Sequence, residues 1–481
     1  PPTCRPPNAP CHGRPCCPNY LCPLSGPDST CNASTPRVPG AVDIFVGGGS
    51  RYSFHRIPAM VVAADGSVLV FAQCGGLPAN SSDVVLRRST DLGRSWGAEI
   101  LVVAQDTITT ARDKASARPI ANPSPVVLGS GRVLLVCTPG NKEVWTFFSD
   151  THGRTWSGGR NVTSQAALPH WDWVATGPPQ GIRLMQGPHR GRIVFGADHR
   201  AGKTIGSHSI YSDDGGETFR ISTLLDASSG PCECQVAQTA NGSLVLNARG
   251  HDSRRHFAYS TSGGASWSEL TSAPFSNLHY GGGYCEGSTV ALPGSGLLAF
   301  STPFSPTQRA NMSIFVSSDN GQSFPIASAI SIDRGASQYS TMQPINSTHV
   351  ALAYEGGCLG KRSMPCWIRF LLVDVSRGAK AKADEGNISW KTDDEKPLAP
   401  SPFLPPLLRM DDGQQVLTPG EWPERRAQVA ALVQEYLLGT VPPQRPALLS
   451  QETLNTTRLP AGALSSFVRL TFGDDGVQNV T

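Results

Sequence analysis

Five eight-residue segments of one form, Ser-x-x-x-Gly-x-(Ser/Thr)-(Trp/Phe), recur along this chain and constrain its fold more than any other feature. They are Ser89-Thr-Asp-Leu-Gly-Arg-Ser-Trp96, Ser149-Asp-Thr-His-Gly-Arg-Thr-Trp156, Ser212-Asp-Asp-Gly-Gly-Glu-Thr-Phe219, Ser260-Thr-Ser-Gly-Gly-Ala-Ser-Trp267 and Ser317-Ser-Asp-Asn-Gly-Gln-Ser-Phe324. Their glycines, at 93, 153, 216, 264 and 321, stand 60, 63, 48 and 57 residues apart. Each segment has the chemistry of a hairpin turn. An Asp folds its side chain onto backbone amides, Gly takes a positive φ, and an aromatic ring tucks into the sheet. Three keep Asp at the turn (Asp91, Asp214, Asp319), and Thr151 and Ser262 replace it in the others.

Apolar or β-branched strands precede the turns, as in Asp83-Val-Val-Leu-Arg-Arg88 and Met312-Ser-Ile-Phe-Val316. Others lie between them, such as Gly66-Ser-Val-Leu-Val-Phe71 and Gly131-Arg-Val-Leu-Leu-Val136. A repeat of this length with about four strands is one blade of a β-propeller. The fold expected is all-β: a six-bladed β-propeller over 40–375, with a small disulfide-rich module before it and a helix-containing segment after it. The composition suits that design. Gly (50) and Pro (40) approach a fifth of 481 residues and only 16% are charged, which favours short strands and turns over long solvated helices.

Six of the thirteen cysteines fall in the first 31 residues, as C-x6-C-x4-CC-x4-C-x8-C. Residues 1–36 are too few to build a core, so crosslinks are expected to replace it. The order resembles an inhibitor cystine knot. That resemblance implies Cys4–Cys17, Cys11–Cys22 and Cys16–Cys31, one of 15 possible pairings. Cys232, Cys234 and Cys285, and Cys358 with Cys366, are read as further crosslinks rather than nucleophiles. Together with Asn-x-Ser/Thr sequons at Asn32, Asn80, Asn161, Asn241, Asn311, Asn346, Asn387, Asn455 and Asn479, the cysteines predict an extracellular or lumenal setting. A secretory signal is expected to have been removed or to lie upstream of Pro1.

A net charge of +3 without a basic run argues against nucleic acid as a partner, and no stretch of 18 apolar residues is present to span a bilayer. Neither a metal-ligand pattern nor a cofactor motif emerges, and oligomeric state is left open. Residues 376–406, rich in Lys, Asp and Pro, read as a linker. In 407–481, Glu421–Leu438 has a helical period, with Thr418 as N-cap, Pro419 in the first turn and Gly439 at the stop. The string Trp422-Pro-Glu-Arg-Arg426, followed by Tyr436-Leu-Leu-Gly-Thr-Val-Pro442, resembles the opening of glucuronoyl-esterase-like α/β-hydrolases. No G-x-S-x-G elbow follows it.

The turn segments resemble Asp boxes, a signature of sialidases and several other propellers. The residues between them carry a more specific resemblance to sialidases over about 45–375. In order these are Phe54-His-Arg-Ile-Pro58, Asn122-Pro-Ser-Pro-Val126, Gly177-Pro-Pro-Gln-Gly-Ile182, Cys232-Glu-Cys-Gln-Val236, Leu246-Asn-Ala-Arg249, Arg309-Ala-Asn-Met312, Ser337-Gln-Tyr-Ser340 and Leu352-Ala-Tyr-Glu355. The resemblance implies a clamp of Arg56, Arg249 and Arg309 for the carboxylate of a sialic acid, with Glu355 orienting Arg56. Planar bidentate guanidinium groups suit that task.

A carboxylate nucleophile would repel an anionic sugar, and the resemblance implies instead Tyr339 as nucleophile with Glu233 as its base, with net retention. Glu233 to Arg249 and Tyr339 to Glu355 both span 16 residues, as is common in the family. The family's acid/base aspartate lies about 24 residues after the first arginine, a position held here by Asn80, which cannot donate a proton to a leaving alkoxide. Asp83 is the substitute considered. Losing general acid catalysis costs on the order of 10²–10⁴ in rate. His55 is read as a packed neighbour of Arg56. The function implied is an exo-α-sialidase acting on sialylated or nonulosonic-acid-terminated glycans, impaired by Asn80. The rival readings are a sialic-acid-binding, lectin-like propeller and an Asp-box propeller with another ligand.

Overall fold

In the computed structural model, the described residues are 38–47, 52–75, 82–108, 119–252, 254–272, 285–305, 308–357, 367–376 and 378. Short strands at 20–21 and 32–33 are also described, as are positions 424, 426 and 428 and the strands 447–458 and 464–473. The chain divides into two compact units, Pro1–Asn387 and Ile388–Thr481.

The first unit is a propeller-like succession of antiparallel sheets, three of them four-stranded meanders whose strands follow chain order. Phe54–Val62, Val68–Gly75, Ser82–Ser89 and Ile100–Val103 form one four-stranded sheet. Ser124–Val127, Val133–Cys137, Trp145–Ser149 and Arg160–Asn161 form the next. A six-stranded sheet is built on Ile193–Ala201 and Thr204–Ser212, and a four-stranded one starts at Cys232–Gln238.

The last sheet departs from the expected pattern of separate blades, because seven strands are joined in it. The cause is one 15-residue strand, Ile330–Pro344. Its first half pairs with Ala310–Ser317 and its second half, from Ser337, with His349–Gly356. The sheet then continues through Trp367–Asp374 to Val42–Val46, so an early strand seals the final sheet.

The five boxes explain how the sheets stack. In each, the first Ser hydroxyl accepts the Gly N–H, at 2.7 to 3.0 Å. Asp91 and Asp214 each accept the N–H and hydroxyl of the Ser or Thr four residues on. Where Asp is replaced, a hydroxyl takes over: Thr151 accepts Thr155 N–H at 2.8 Å and Ser262 accepts Ser266 N–H at 2.9 Å. The turn therefore needs a short acceptor more than it needs a charge.

Every box glycine has a positive φ and lies against the preceding sheet. Gly153 faces Leu69, Gly216 faces Leu134, Gly264 faces Val194 and Gly321 faces Val245. Gly93, in the first box, faces Phe370 on the last sheet, and Trp96 meets the same ring edge-on at 5.1 Å. The packing order is thus cyclic.

Among the described residues no helix is long and apolar enough to cross a membrane. The knot-like module falls almost wholly outside the described residues, as do Cys358 and Cys366. Cys232, Cys234 and Cys285 were expected to form crosslinks. They are instead free and buried, as are Cys74 and Cys137. Cys234 shows why: its Sγ lies 3.3 Å from the carbonyl of Ala197 on the neighbouring sheet, so the thiol serves as small inter-sheet packing. The second unit contains an antiparallel hairpin of Ala447–Arg458 with Leu464–Gly473. Helical backbone occurs at Glu424, Arg426 and Gln428, inside the stretch where the period predicts a helix.

The third sheet buries a histidine pair. His199 Nδ1 and His208 Nδ1 stand 3.0 Å apart, His199 Nε2 donates to Asp226 at 2.9 Å, and Trp171 stacks on His199 at 4.2 Å. Burial holds both imidazoles below their ordinary range. Such groups bind protons better unfolded than folded. Stability is therefore present at neutral pH and lost as pH falls through the unfolded imidazole range. Thermal melts are expected to show stability falling from about pH 7 to about pH 5, with a smaller fall in His208→Gln. Equal falls in the two proteins would rule out the histidine pair as the cause.

Candidate active site

Four of the residues singled out in the sequence sit at or beside irregularities in the ladders. Between Cys232 and Cys234 the register slips, and Glu233 is the extra residue. Between Ser337 and Ser340 it slips again, at Gln338 and Tyr339. Arg56 precedes a slip at Ile57, whose φ is 53°, and Arg309 precedes one at Asn311, whose φ is 62°. A bulge bends its strand and re-aims one side chain, which is how a regular sheet can point a polar group across its end.

These side chains converge. The Tyr339 hydroxyl donates to Glu233 Oε1, and Arg249 Nη1 donates to Glu233 Oε2 at 2.5 Å. Arg249 Nη1 also lies 3.4 Å from the Tyr339 oxygen. Arg56 and Arg309 stand over the Tyr339 ring, with guanidinium carbons 5.3 and 5.8 Å from its centroid. Glu355, fully buried, accepts Ile57 N–H at 2.6 Å and lies 3.5 Å from Arg56 Nε. Arg309 donates to Gln338 at 3.2 Å. Three guanidinium groups from three sheets thus surround one phenol.

The electrostatics follow from burial. Tyr339 is held well above the ordinary phenol range, first by burial and then by the negative charge of Glu233. It does not ionise alone, and the carboxylate of Glu233 lies in hydrogen-bond reach of its proton. Glu355 is raised by burial against the opposing pull of Arg56, and Glu355 in turn raises Arg56. For Arg249, burial works against the cation, and the combined pull of Glu233, Tyr339, Cys285 and Cys232 outweighs it, so it stays charged.

Asp83 does not join this group. Its carboxylate accepts the Tyr52 hydroxyl at 2.7 Å and Gln105 N–H at 2.9 Å, so it ties its strand to the segments that flank it. Asn80 lies outside the described residues. His55 is a packed neighbour, stacked on Phe45 and 3.0 Å from Glu99.

Two carboxyls near the site escaped the sequence reading. Glu286 is 1% exposed, accepts Ser340 N–H at 2.8 Å beside Tyr339, and is pushed well above the carboxylate range by burial. Asp198 is 4% exposed and accepts the Trp173 indole N–H at 2.8 Å. The signal for Asp198 was an acid directly after the apolar run Ile193-Val-Phe-Gly-Ala197, where a charge is seldom fully buried without a partner. Cys285 also belongs to the site, since its thiol feels Arg309, Arg249 and Glu233, and burial pushes it up to about 12. Among the described residues no three His, Cys, Asp or Glu side chains gather in a group able to hold a metal ion.

Residues 66–351 match the family model described as a BNR repeat-like domain. A sialidase of Micromonospora viridifaciens is 28% identical over 349 residues, 66% of this chain and 52% of that protein. A sialidase of Bacteroides fragilis is 27% identical over 347 residues, 64% of this chain and 61% of that protein. Human Sialidase-4 is 29% identical over 296 residues, 54% of this chain and 58% of that protein. The chain thus spans between half and about three-fifths of these curated relatives. Among solved structures, the Hadza microbial sialidase Hz136 superposes with a TM-score of 0.60 at 24% identity, over 70% of this chain and 68% of that one. The intramolecular trans-sialidase of Ruminococcus gnavus gives 0.58 at 15%, over 70% and 97%. Both are likenesses of fold.

Proposed function

For a chain that belongs to the BNR repeat-like domain family, we propose the function of an exo-α-sialidase that releases terminal sialic acid from glycans with retention. The observation that carries this reading is the Tyr339–Glu233 hydrogen bond enclosed by Arg56, Arg249 and Arg309. In the proposed step the three arginines hold the sugar carboxylate and Glu355 fixes Arg56. Tyr339 Oη attacks the anomeric carbon while its proton passes to Glu233. The glycosidic C–O bond breaks, and water then releases the sugar from the tyrosine.

Asn80 replaces the acid that would protonate the leaving oxygen, so substrates that leave as stable phenolates are favoured. Six blades are part of the same reading, with the seven-stranded sheet counted as two that share Ile330–Pro344. So is an extracellular or lumenal setting, which the exposed sequon residues Asn161, Asn241 and Asn346 support.

An aryl sialoside is expected to be hydrolysed at least about 10²-fold faster, relative to sialyl-lactose, than by an enzyme that keeps the acid. Asn80→Asp should raise turnover of sialyl-lactose. Absence of aryl turnover, combined with measurable binding of sialyl-lactose, would replace the enzyme with the lectin reading that Asn80 favours. Absence of both would end the proposal.

A further inference from the structure

Asp198 is joined to the site by the close approach of two sheets. Its strand, Ile193–Ala201, runs against Cys232–Gln238, where Cys234 Sγ meets the Ala197 carbonyl. Opposite Asp198 in its own sheet is Ser207, whose hydroxyl donates to the Cys232 carbonyl at 3.0 Å. The Asp198 carboxyl accordingly feels the charges of Arg249 and of Glu233, the residue that bonds both Tyr339 and Arg249. One Asp198 oxygen has the Trp173 indole, and the other is buried with no hydrogen-bond partner. An ionised carboxylate would be poorly served there, since a buried charge needs full pairing.

We propose that Asp198 is a positioning residue held as a neutral acid, which keeps a second negative charge away from the Glu233–Arg249 pair so that the clamp stays net positive toward an anionic sugar. This rests on the sialidase reading above. The groups facing Asp198 are Glu233 and the thiols of Cys232 and Cys234 from one strand, Arg249 from the next, and Trp173 from Trp173–Thr176. Burial, then the charge of Glu233, raise its carboxyl to about 8, against the pull of the Trp173 hydrogen bond and Arg249. Below that pH the site faces its substrate with one carboxylate beside Arg249, and above it with two.

The experiment is the pH dependence of aryl sialoside hydrolysis, with kcat and KM resolved, for the whole chain, Asp198→Asn and Trp173→Phe. Expected is a KM that rises in the unsubstituted protein from about pH 7 to about pH 9 and stays level in Asp198→Asn, so that the ratio of their kcat/KM values changes by about tenfold. Trp173→Phe removes a bond that favours ionisation, so its alkaline limb should move to higher pH. A ratio constant across pH would mean a merely structural role and overturn the proposal. Melting temperatures of the same proteins separate the two failures. Asp198 ionises less readily folded than unfolded, so the stability it contributes is complete below the ordinary carboxylate range and is lost as pH rises from there to about 8, and Asp198→Asn should escape that loss. That melting difference without turnover in either protein would sink the sialidase reading and this inference with it. Turnover with no melting difference would sink only this inference.

Discussion

Tyr339→Phe is expected to lower hydrolysis of an aryl sialoside by on the order of 10³-fold or more, while the protein stays folded. The substitution removes one oxygen and keeps the ring that Arg56 and Arg309 stand over. Glu233 retains its ion pair with Arg249, so no buried charge is orphaned. Binding of an anionic sugar should therefore survive where turnover does not. Glu233→Gln tests the other half of the pair. It keeps the shape and loses the proton acceptor, and a fall on the order of 10²–10⁴ is expected. Because Tyr339 and Glu233 act as a unit, the double variant should be little worse than Tyr339→Phe alone. Less than a tenfold loss in Tyr339→Phe would mean that the phenol is not the nucleophile.

The second large effect concerns stability. Gly196 on the third sheet faces Cys234 on the fourth, and a Cβ there would sit 2.1 Å from the Cys234 carbonyl oxygen. That oxygen cannot swing aside cheaply, because Cys234 is held in register opposite Ala248. Gly196→Ala should cost about 1–3 kcal/mol through overpacking, read as a lower midpoint in urea with an unchanged slope. The strain is not confined to the core. Gly196 is two residues from Asp198, and Cys234 is next to Glu233, so a shift of Cys234 away from the new methyl group would move Glu233 relative to Tyr339. Activity should fall before the protein unfolds. A variant with native stability would show that the contact relaxes, and the close approach would lose its importance.

The turns were legible in the sequence because each box satisfies its own hydrogen bonds within eight residues. Ser89, Asp91, Gly93 and Ser95 complete one another locally, so spacing alone reveals them. Arg56, Arg249, Arg309, Glu233, Tyr339 and Glu355 were legible through motifs, and all six are gathered around one point. The remainder depended on neighbours distant in sequence. Nothing local distinguishes Ile330–Pro344 as one strand shared by two halves of a sheet, since that is set by where Ala310–Ser317 and His349–Gly356 run. The buried thiols misled because abundant cysteines suggest crosslinks, whereas Cys232, Cys234 and Cys285 are free and buried, and Cys234 packs between sheets. Asp83 was a plausible substitute acid by position along the chain, yet Tyr52 and Gln105 occupy both its oxygens. Asp198 and Glu286 were missed because burial, rather than motif, makes them notable.

The seal made by Val42–Val46 on Trp367–Asp374 carries a consequence for how the molecule assembles. Asp43 and Arg369 meet at 2.6 Å although 326 positions separate them. Joining the ends of so long a segment costs about 5 kcal/mol of loop-closure entropy, which must be met before that contact repays it. High contact order of this kind slows assembly. During synthesis an early strand has no partner until residues near 370 emerge, so the ring can lock only at the end.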